Sequence, residues 1–315
     1  MKPGALRERI ARRFARARLF YGHGARSARA EADWLVRSVA PKSAASERQR
    51  RKLRVLAERR IRERAPLAYL LKEAWLAGYR FYVDERALVP RSFIAELLPD
   101  GLRPWLGRAP KRALDLCTGS GCLAVLLARA FKRLKVDAAD ISRAALEVAA
   151  INVGRYRLGG RVRLLRSDLF AALGGRKYDL IVCNPPYVTA RAMARLPREY
   201  RREPRLALAG GPDGLDFVLD VIAGARRHLA PAGVLVCEIG ANRRALQRAL
   251  PELPFIWPEL SAPGSVFVLE REALSRAART AAAFRTRPTP DRARRSARAR
   301  ARRGARARPT RPRRP

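Results

Sequence analysis

A repeated pattern from Ala113 onward constrains the fold of this chain more than any other feature. Short apolar runs are followed by polar or glycine turns and then by helical stretches. Six runs are strand candidates, namely ALDLC, KVDAAD, RVRLLRSD, YDLIVCN, GVLVCEIG and GSVFVLE. Continuous apolar strands that alternate with helices are typical of a parallel sheet with helices on both faces. The pattern therefore predicts an α/β fold, and the last two strands can be antiparallel because no long second crossover joins them.

Residues 1–65 are predicted to form a small helical domain. A second helix is expected over residues 28–39 and is ended by Pro41. Either Ser43 or Ser46 can cap a third helix, because their hydroxyls can accept from a backbone N–H of the first turn. In the first helix, apolar residues recur at helical spacing: Leu6, Ile10, Phe14 and Ala17.

The segment 66–98 has a different character from the helices before it. It is aromatic and alternating, and Gly78 separates two short apolar runs. This pattern predicts a β-hairpin that links the helical domain to the α/β domain. We place the α/β domain at residues 99–274 and an arginine-rich tail at residues 275–315, which we expect to be disordered.

The chain is strongly basic, with a formal net charge of +40. The tail alone holds 16 basic residues and one acidic residue, a net charge of +15. A charge of this sign and size is typical of electrostatic attachment to RNA, and it also arises from compositional drift. We therefore keep ribosomal RNA as a candidate partner of the basic helical face and the tail.

Four cysteines lie in apolar runs, without a CxxC pair and without histidines at ligand spacing. This distribution predicts free thiols in a reducing, cytoplasmic compartment and no metal site. No apolar run reaches the ~18 residues that a membrane span requires, so we expect no membrane association.

A glycine turn follows the first strand of the α/β pattern. It runs from Asp115 to Gly121, and the third glycine of a dinucleotide fingerprint is replaced by Ala124. No phosphate-binding lysine follows the turn either. Asp140 ends the next strand and can accept from ribose hydroxyls, while Asp168 ends the third and can accept from an adenine amine. Both acids can instead simply cap helices, but together with the turn they favour a nucleoside without a pyrophosphate, such as S-adenosylmethionine.

The fourth strand ends in the turn Asn184-Pro185-Pro186-Tyr187. The prolines have no backbone N–H, so the turn offers the Pro185 carbonyl and the Asn184 side-chain oxygen as acceptors. Two acceptors suit a substrate amino or amide group, which has two N–H donors. Tyr187 can supply an aromatic wall or stabilise a cation. Neither histidine, His23 or His228, lies in a motif where it would act as a base.

Several motifs together resemble those of the protein-glutamine N(5)-methyltransferases. They read DLCTGSGCLAV, DAADIS, RSDLF, YDLIVCNPPYV and EPRLALAGGPDGLDF. The stretch AYLLKEAWLAGYRFYVDERALVPRSFIAELL is similar to the branch that acts on the large-subunit ribosomal protein uL3. In the branch that acts on peptide chain release factors, an acidic run usually follows the Pro-Arg pair, whereas Ser-Phe-Ile-Ala-Glu follows Pro90-Arg91 here. The resemblance covers about residues 3–274.

The resemblance implies a Rossmann-like class I methyltransferase with a mostly parallel, seven-stranded sheet, and uL3, free or in an assembling large subunit, as partner. The cofactor residues that it implies are Asp115, Cys117, Thr118, Gly119, Ser120, Gly121, Asp140, Ile141, Asp168, Leu169 and Asn184. The catalytic residues that it implies are Asn184, Pro185, Pro186 and Tyr187. The substrate-binding residues are Pro90, Arg91, Asn184, Pro185 and Tyr187. Where the release-factor branch often has an aromatic residue against adenine, this chain has Leu169, and Phe170 is a candidate to replace it.

Three other functions remain open at this point. The first is methylation of a release factor, and the second is methylation of an adenine or cytosine amino group, since those enzymes share a similar Asn/Asp-Pro-Pro-aromatic turn. The third is an RNA-binding assembly factor with a vestigial site, against which the intact turn and both acids speak. The helical domain and the aromatic hairpin favour a protein substrate.

Overall fold

Three helices form the N-terminal unit of the computed structural model, which describes residues 3–41, 45–98 and 100–274. They are α1 (Pro3–Arg16), α2 (Ala28–Val39) and α3 (Glu47–Glu63). Helix α2 has the bounds that the sequence predicts. Ser46 caps α3 through a capping box: its hydroxyl accepts from the Gln49 N–H at 3.3 Å, and the Gln49 side chain accepts from the Ser46 N–H at 2.8 Å. Ser43, the other candidate cap, and the tail from residue 275 lie outside the described residues.

The apolar stripe of α1 is buried against the other two helices, as its spacing predicts. Leu6, Ile10 and Phe14 are all at most 4% exposed and pack with Leu35 of α2 and Leu53 of α3. These residues form a core of their own, separate from the two cores of the sheet. The opposite faces of α1 and α3 are rich in exposed arginine.

The linker contains a short helix followed by the expected hairpin. Helix α4 (Leu67–Leu71) leads into strands β1 (Ala74–Leu76) and β2 (Tyr79–Phe81), which pair antiparallel. Ala77 and Gly78 between them both have positive φ, at 48° and 77°. Two positive φ values in a two-residue loop match the right-handed twist of the strands. A 3₁₀ helix (Phe93–Leu97) and the short helix α5 (Arg103–Leu106) then lead into the α/β domain.

The α/β domain alternates strands with helices along the chain. The elements are β3 (Arg112–Leu116), α6 (Cys122–Ala130), β4 (Lys135–Asp140), α7 (Arg143–Arg155), β5 (Val162–Arg166), β6 (Tyr178–Cys183), α8 (Ala190–Ala194), α9 (Asp216–Ala225), β7 (Leu229–Glu238), α10 (Arg243–Ala249) and β8 (Val266–Glu270). Among the described residues the sheet has the order β5-β4-β3-β6-β7-β8. The first five strands are parallel and β8 is antiparallel to β7. The α/β class, the mostly parallel sheet and its antiparallel end are confirmed.

The sheet has six strands in the described part of the chain, where the resemblance implied seven. At the edge beyond β8, Ile256 makes an isolated antiparallel bridge with Val268, through backbone hydrogen bonds of 3.1 and 2.9 Å. Pro254 and Pro258 flank this position and have no N–H to extend a ladder. The seventh position is therefore reduced to a single bridge.

Side chains of the central strands point alternately into two apolar cores. Leu180 and Val182 lie in the core on one face of the sheet, whereas Ile181 and Cys183 lie in the core on the other. Burial on both faces explains why β6 reads as a continuous apolar run instead of an alternating one. Truncating such a leucine to alanine generally costs roughly 2–5 kcal/mol.

The order of the strands creates a crevice at one edge of the sheet. The chain runs from β3 outward through β4 to β5 and then returns to place β6 on the other side of β3. The connections on either side of this switch point lead to opposite faces of the sheet, so a space opens beyond the carboxyl ends of β3 and β6. No helix in the described segments is long and apolar enough to cross a membrane.

Candidate active site

A cavity of about 710 Å³ occupies this crevice. Its walls come from the glycine turn after β3, the ends of β4 and β5, the turn after β6 and the end of the linker. The predicted site residues that line it are Pro90, Arg91, Cys117, Thr118, Gly119, Ser120, Asp140, Ile141, Asp168, Leu169, Asn184 and Pro186. Four other predicted residues are not part of this lining, namely Asp115, Gly121, Pro185 and Tyr187.

The glycine turn is shaped by backbone conformations that favour glycine. Gly119 and Gly121 have φ values of 55° and 76°, and Cys117 also has a positive φ of 57°. A Cβ on Gly121 would lie 3.0 Å from the Cβ of Ala149, so α7 packs directly on the turn. Gly119 has open space beside it instead, with only the Cys117 carbonyl oxygen as near as 4.0 Å. Gly121 thus serves packing, while Gly119 leaves room for a ligand to approach the backbone.

Asp140 ties the end of β4 to the glycine turn. Its Oδ2 accepts from the Gly119 N–H at 2.9 Å and its Oδ1 accepts from the Ser142 N–H at 2.8 Å. Burial raises the pKa of Asp140, while these backbone donors oppose the rise. Ser142, not Asp140, caps α7, since its hydroxyl accepts from the Ala145 N–H at 3.1 Å. The helix-cap alternative therefore does not account for Asp140.

Asp168 is exposed at the cavity wall. The turn around it is closed by Ser167, whose hydroxyl donates to the Leu169 carbonyl at 2.6 Å and accepts from the Ala172 N–H at 3.0 Å. Within the described segments the Asp168 carboxylate has no hydrogen-bond partner, so it is available to a ligand. Leu169, with a φ of 44°, lines the cavity beside it.

Asp115 lies fully buried beneath the glycine turn. Its Oδ2 accepts from the Thr118 hydroxyl at 2.5 Å and from the Ala124 N–H at 2.9 Å. Its Oδ1 has no hydrogen-bond partner among the described residues. Burial raises the pKa of Asp115 to about 7, although the two donors lower it in part. Asp115 therefore holds the turn in place from below, and its second oxygen is left with unused acceptor capacity.

The turn after β6 places Asn184 and Pro186 in the cavity wall. The Asn184 side chain donates from Nδ2 to the Arg91 carbonyl at 3.2 Å, which orients the amide and leaves its Oδ1 as an acceptor. Pro185 and Pro186 are buried and contribute no N–H. The Asn184 oxygen can therefore accept from an N–H donor of a ligand, whereas Pro185, whose carbonyl is the second acceptor that the sequence predicts, is not part of the cavity lining.

Tyr187 braces this turn without lining the cavity. Its carbonyl accepts from Asn242 Nδ2 at 2.8 Å, and its hydroxyl donates to Glu238 Oε1 at 2.9 Å. A Cβ on Gly240 would lie 2.7 Å from the Tyr187 ring, so that glycine allows the ring to pack against the backbone. Burial and the neighbouring Glu238 carboxylate raise the pKa of Tyr187, so the hydroxyl stays protonated as a donor.

Two buried glutamates that the sequence analysis did not identify grip the end of the linker. Glu203 accepts from the Val89 N–H at 3.1 Å and from both terminal nitrogens of Arg91 at 2.7 Å. Glu238 accepts from the Ser92 hydroxyl at 2.6 Å and from the Phe93 N–H at 2.9 Å. Burial raises the pKa of Glu238, although these donors lower it in part. Residues 89–93 are therefore fixed on both sides of the Arg91 carbonyl that holds Asn184.

Asn152 of α7 is a third residue that sequence reasoning missed. Its side chain accepts from the Tyr82 N–H at 2.7 Å and donates to the Tyr82 carbonyl at 2.9 Å. The same Nδ2 also donates to the Ser120 carbonyl at 2.9 Å. One buried amide thus joins the hairpin linker to the glycine turn.

Phe170 and the two histidines lie outside the cavity lining. His228 stacks on Phe170 with ring centroids 4.8 Å apart, so Phe170 packs there while Leu169 lines the cavity. His23 belongs to the N-terminal unit and lies 4.3 Å from the Tyr200 ring. All four cysteines are free: Cys117 is half-buried in the cavity wall and the other three are buried. No cluster of three or more metal-ligand side chains occurs in the described part of the chain.

The cavity lies at the switch point of a mostly parallel sheet and is bounded by a glycine turn, a strand-end acid and an Asn-Pro-Pro-Tyr turn. This combination defines a class I methyltransferase. The model of the methyltransferase small domain family matches residues 95–198. A ribosomal protein uL3 glutamine methyltransferase from Neisseria meningitidis serogroup B is 50% identical over 275 residues, which are 83% of this chain and 90% of that protein. The one from Bordetella pertussis is 53% identical over 224 residues, 70% of this chain and 75% of that protein.

A third relative with the same name, from Burkholderia pseudomallei, is 47% identical over 283 residues, 83% of this chain and 92% of that protein. The chain belongs to the family of ribosomal protein uL3 glutamine methyltransferases. The resemblance that the sequence motifs carried is confirmed.

Proposed function

We propose that this protein transfers the methyl group of S-adenosylmethionine to the side-chain amide nitrogen of a glutamine in ribosomal protein uL3. One observation carries the proposal: the Asn184 amide is held by the Arg91 carbonyl, so its oxygen is left as an acceptor beside the cavity. A glutamine side chain ends in a –CO–NH2 group with two N–H bonds. One would donate to Asn184 Oδ1, and the Pro185 carbonyl is the acceptor that the motif offers to the other.

The cofactor would occupy the other half of the cavity. Asp140 would accept from the ribose hydroxyls, because each carboxylate oxygen keeps a lone pair beyond its backbone donor. Asp168 would accept from the adenine amine, and Leu169 would contact the adenine ring. Residues Cys117–Gly121 would line the methionine portion, with Asp115 holding that turn from below. When bound, the sulfonium group supplies an electrophilic methyl group.

The residues of the turn supply positioning. An amide nitrogen is a poor nucleophile because its lone pair is delocalised into the carbonyl group. Holding both N–H bonds by Asn184 and Pro185 aims the nitrogen and polarises it as positive charge develops. Tyr187 and Glu238 keep the turn rigid through the 2.9 Å hydrogen bond between them. Neither histidine lies in the cavity wall. The Asn184 and Pro185 oxygens would accept hydrogen bonds from the amide without taking its proton, which would leave to water once the N–CH3 bond has replaced the S–CH3 bond.

The N-terminal unit, residues 1–65, is suited to docking the rest of the acceptor protein. Its outer helical faces carry exposed arginines, among them Arg9, Arg12, Arg51 and Arg54. We expect uL3 to be recognised free or in an assembling large subunit in the cytoplasm, with ribosomal RNA contacting these faces. Phosphate contacts release counterions, so binding to assembling subunits should weaken steeply as salt is raised.

A test of the acceptor compares uL3, a release factor and DNA, each incubated separately with the enzyme and methyl-labelled cofactor. Peptide mass spectrometry should find the label on a glutamine amide of uL3. Label on the release factor would contradict the choice of acceptor protein. Label on adenine or cytosine would contradict a protein acceptor altogether.

A further inference from the structure

Glu203 lies between the end of the linker and the N-terminal unit. Both of its oxygens pair with Arg91 at 2.7 Å, a bidentate geometry that fixes direction as well as distance. The Val89 N–H adds a third bond at 3.1 Å. The Glu203 side chain is 0% exposed, whereas the Arg91 side chain is 30% exposed, so water is excluded from the carboxylate side of the pair.

The other side of Glu203 faces the N-terminal unit. His23 Nε2 lies 3.3 Å from Glu203 Oε2. The Tyr200 ring packs on both Arg91 and His23. The Arg91 guanidinium carbon lies 5.2 Å from the Tyr200 ring centroid, and the centroids of the His23 and Tyr200 rings are 4.3 Å apart. Burial raises the pKa of Glu203, but Arg91 and His23 outweigh burial and bring the pKa down to about 2. Glu203 is therefore a carboxylate at any pH at which the protein works.

The position of Arg91 decides which end of the Asn184 amide faces the cavity. An asparagine amide has a donor end and an acceptor end, and a half-turn about its last torsion exchanges them. The Arg91 carbonyl accepts from Asn184 Nδ2 at 3.2 Å and so selects the orientation that leaves Oδ1 for the ligand. If this carbonyl moved away, Asn184 could turn its NH2 group toward the cavity. That group is a donor and could not accept from the N–H bonds of the substrate glutamine.

We propose that Glu203 is a positioning residue for methyl transfer, which fixes Arg91 so that the Arg91 carbonyl keeps the Asn184 oxygen directed at the substrate amide. The inference rests on the proposed function, because it needs the role assigned to Asn184. Glu203 itself does not line the cavity. Glu203 therefore acts through Arg91 on the orientation of Asn184 and does not contact the reacting groups.

The test compares Glu203→Gln with the wild-type protein. The glutamine variant keeps the size of the side chain but removes the charge and one of the two acceptors for Arg91. Because misplacement of a reacting group by about 1 Å can cost ~10²-fold in rate, we expect kcat with uL3 to fall between about tenfold and about a hundredfold. The KM for uL3 and the cofactor Kd should stay within about twofold, since the docking surface and the glycine turn are untouched.

A spectroscopic readout reports on Asn184 without any turnover. The side-chain NH2 resonances of Asn184, assigned by their loss in Asn184→Ala, should shift in Glu203→Gln and exchange faster with solvent. Asp137→Asn is the matched control, because Asp137 is also a largely buried carboxylate paired with an arginine through two bonds, of 3.0 and 2.8 Å to Arg163. This control should leave both kcat and the Asn184 resonances unchanged.

Different failures have different signatures. An unchanged kcat in Glu203→Gln, or a reduced kcat with unshifted Asn184 resonances, would overturn the positioning role. A raised KM with unchanged kcat would place Glu203 in substrate docking instead and would also overturn it. If the wild-type protein did not methylate uL3, the proposed function would fail, and the resonances alone would decide whether Glu203 orients Asn184.

A second variant covers the case in which Glu203→Gln does not fold. Arg91→Lys keeps the charge and the backbone carbonyl but can reach only one carboxylate oxygen at a time. Arg91→Lys should shift the same Asn184 resonances. The decrease in kcat should be smaller than the decrease expected for Glu203→Gln. Wild-type resonances and kcat in this variant would refute the inference.

Discussion

Replacing Gly210 by alanine should disturb the turn at residues 184–187, called here the acceptor turn, without changing the cofactor side of the cavity. The Gly210 N–H donates to the Val188 carbonyl at 2.9 Å, which holds the segment after α8 directly against the turn. A Cβ at this position would lie 2.6 Å from the Cα of Tyr187 and 2.8 Å from the Pro186 carbonyl oxygen. Both neighbours are backbone atoms, so no flexible side chain can swing away to relieve the contact.

The size of the effect follows from these distances. Ordinary contact begins at 3.4 Å, so the two segments must separate by about 0.8 Å from the 2.6 Å position. Overpacking of this kind costs typically ~1–3 kcal/mol of the free energy of unfolding. A shift approaching 1 Å in the groups that align the acceptor can lower the rate by about a hundredfold. Gly119 and Asp140 are not touched, so the cofactor Kd should be unchanged.

Gly154→Ala is the matched control for this substitution. Gly154 is exposed on α7, and a Cβ there would meet nothing within 4 Å. Alanine should stabilise that helix by roughly 0.5–1 kcal/mol and leave the rate unaltered. The assays are urea unfolding, cofactor titration and the rate of methyl transfer to uL3. A Gly210→Ala protein with wild-type kcat would refute the claim that transfer depends on the fixed position of this turn.

Two other predictions concern the acids around the glycine turn. Asp140→Ala removes the carboxylate that accepts from the Gly119 and Ser142 N–H groups and that is assigned to the ribose. The cofactor Kd, measured by calorimetric titration, should therefore rise about a hundredfold. An unchanged Kd would exclude Asp140 from the cofactor site. Burial raises the pKa of Asp115 from 3.8 to about 7, so the folded protein retains a proton that the unfolded chain has lost. Its contribution to the free energy of unfolding therefore falls as pH rises from about 4 to about 7. The free energy of unfolding of both proteins would be measured by urea unfolding from about pH 5 to about pH 8. Over this range the loss of stability in Asp115→Asn should be about 2–3 kcal/mol smaller than in the wild-type protein. Equal losses in the two proteins would contradict the raised pKa.

The features that the sequence predicts best are those set by neighbours along the chain. The glycine turn, Asp140 and the turn at Asn184 each follow directly on an apolar strand. In a parallel sheet the carboxyl ends of the strands meet at one edge, so local patterns suffice to bring these residues together. Helix α2 was likewise predictable, and so was a serine cap for α3, because a cap is a contact across three residues. The sequence left Ser43 and Ser46 as alternatives for this cap.

The features that the sequence does not reveal depend on contacts between distant segments. Glu203 pairs with Arg91 across 112 positions, and Glu238 bonds to Ser92 across 146. No spacing rule links residues so far apart, although Glu238 does carry one local signal. It ends an apolar strand, as Asp140 does, and the same reasoning about strand-end acids would have identified it. Glu203 lies in an irregular loop and has no such signal.

The role of Tyr187 shows a second limit of sequence patterns. The motif suggests an aromatic wall for the substrate, but a tyrosine at the end of a turn can point to either side of the backbone. The glycine at position 240 leaves space for the ring behind the turn, and Glu238 offers an acceptor for the hydroxyl there. The direction of the side chain was decided by this later strand, which the motif does not contain.

Methyl transfer by Asn184→Ala tests the central claim most directly. The variant, the wild-type protein and the cofactor would be examined in single-turnover reactions with uL3, and mass spectrometry would locate the methyl group on the acceptor. We expect the wild-type protein to label one glutamine amide, and the variant to bind the cofactor with an unchanged Kd but to lose transfer by at least about a hundredfold. Transfer to that glutamine at the wild-type rate by Asn184→Ala would contradict the claim.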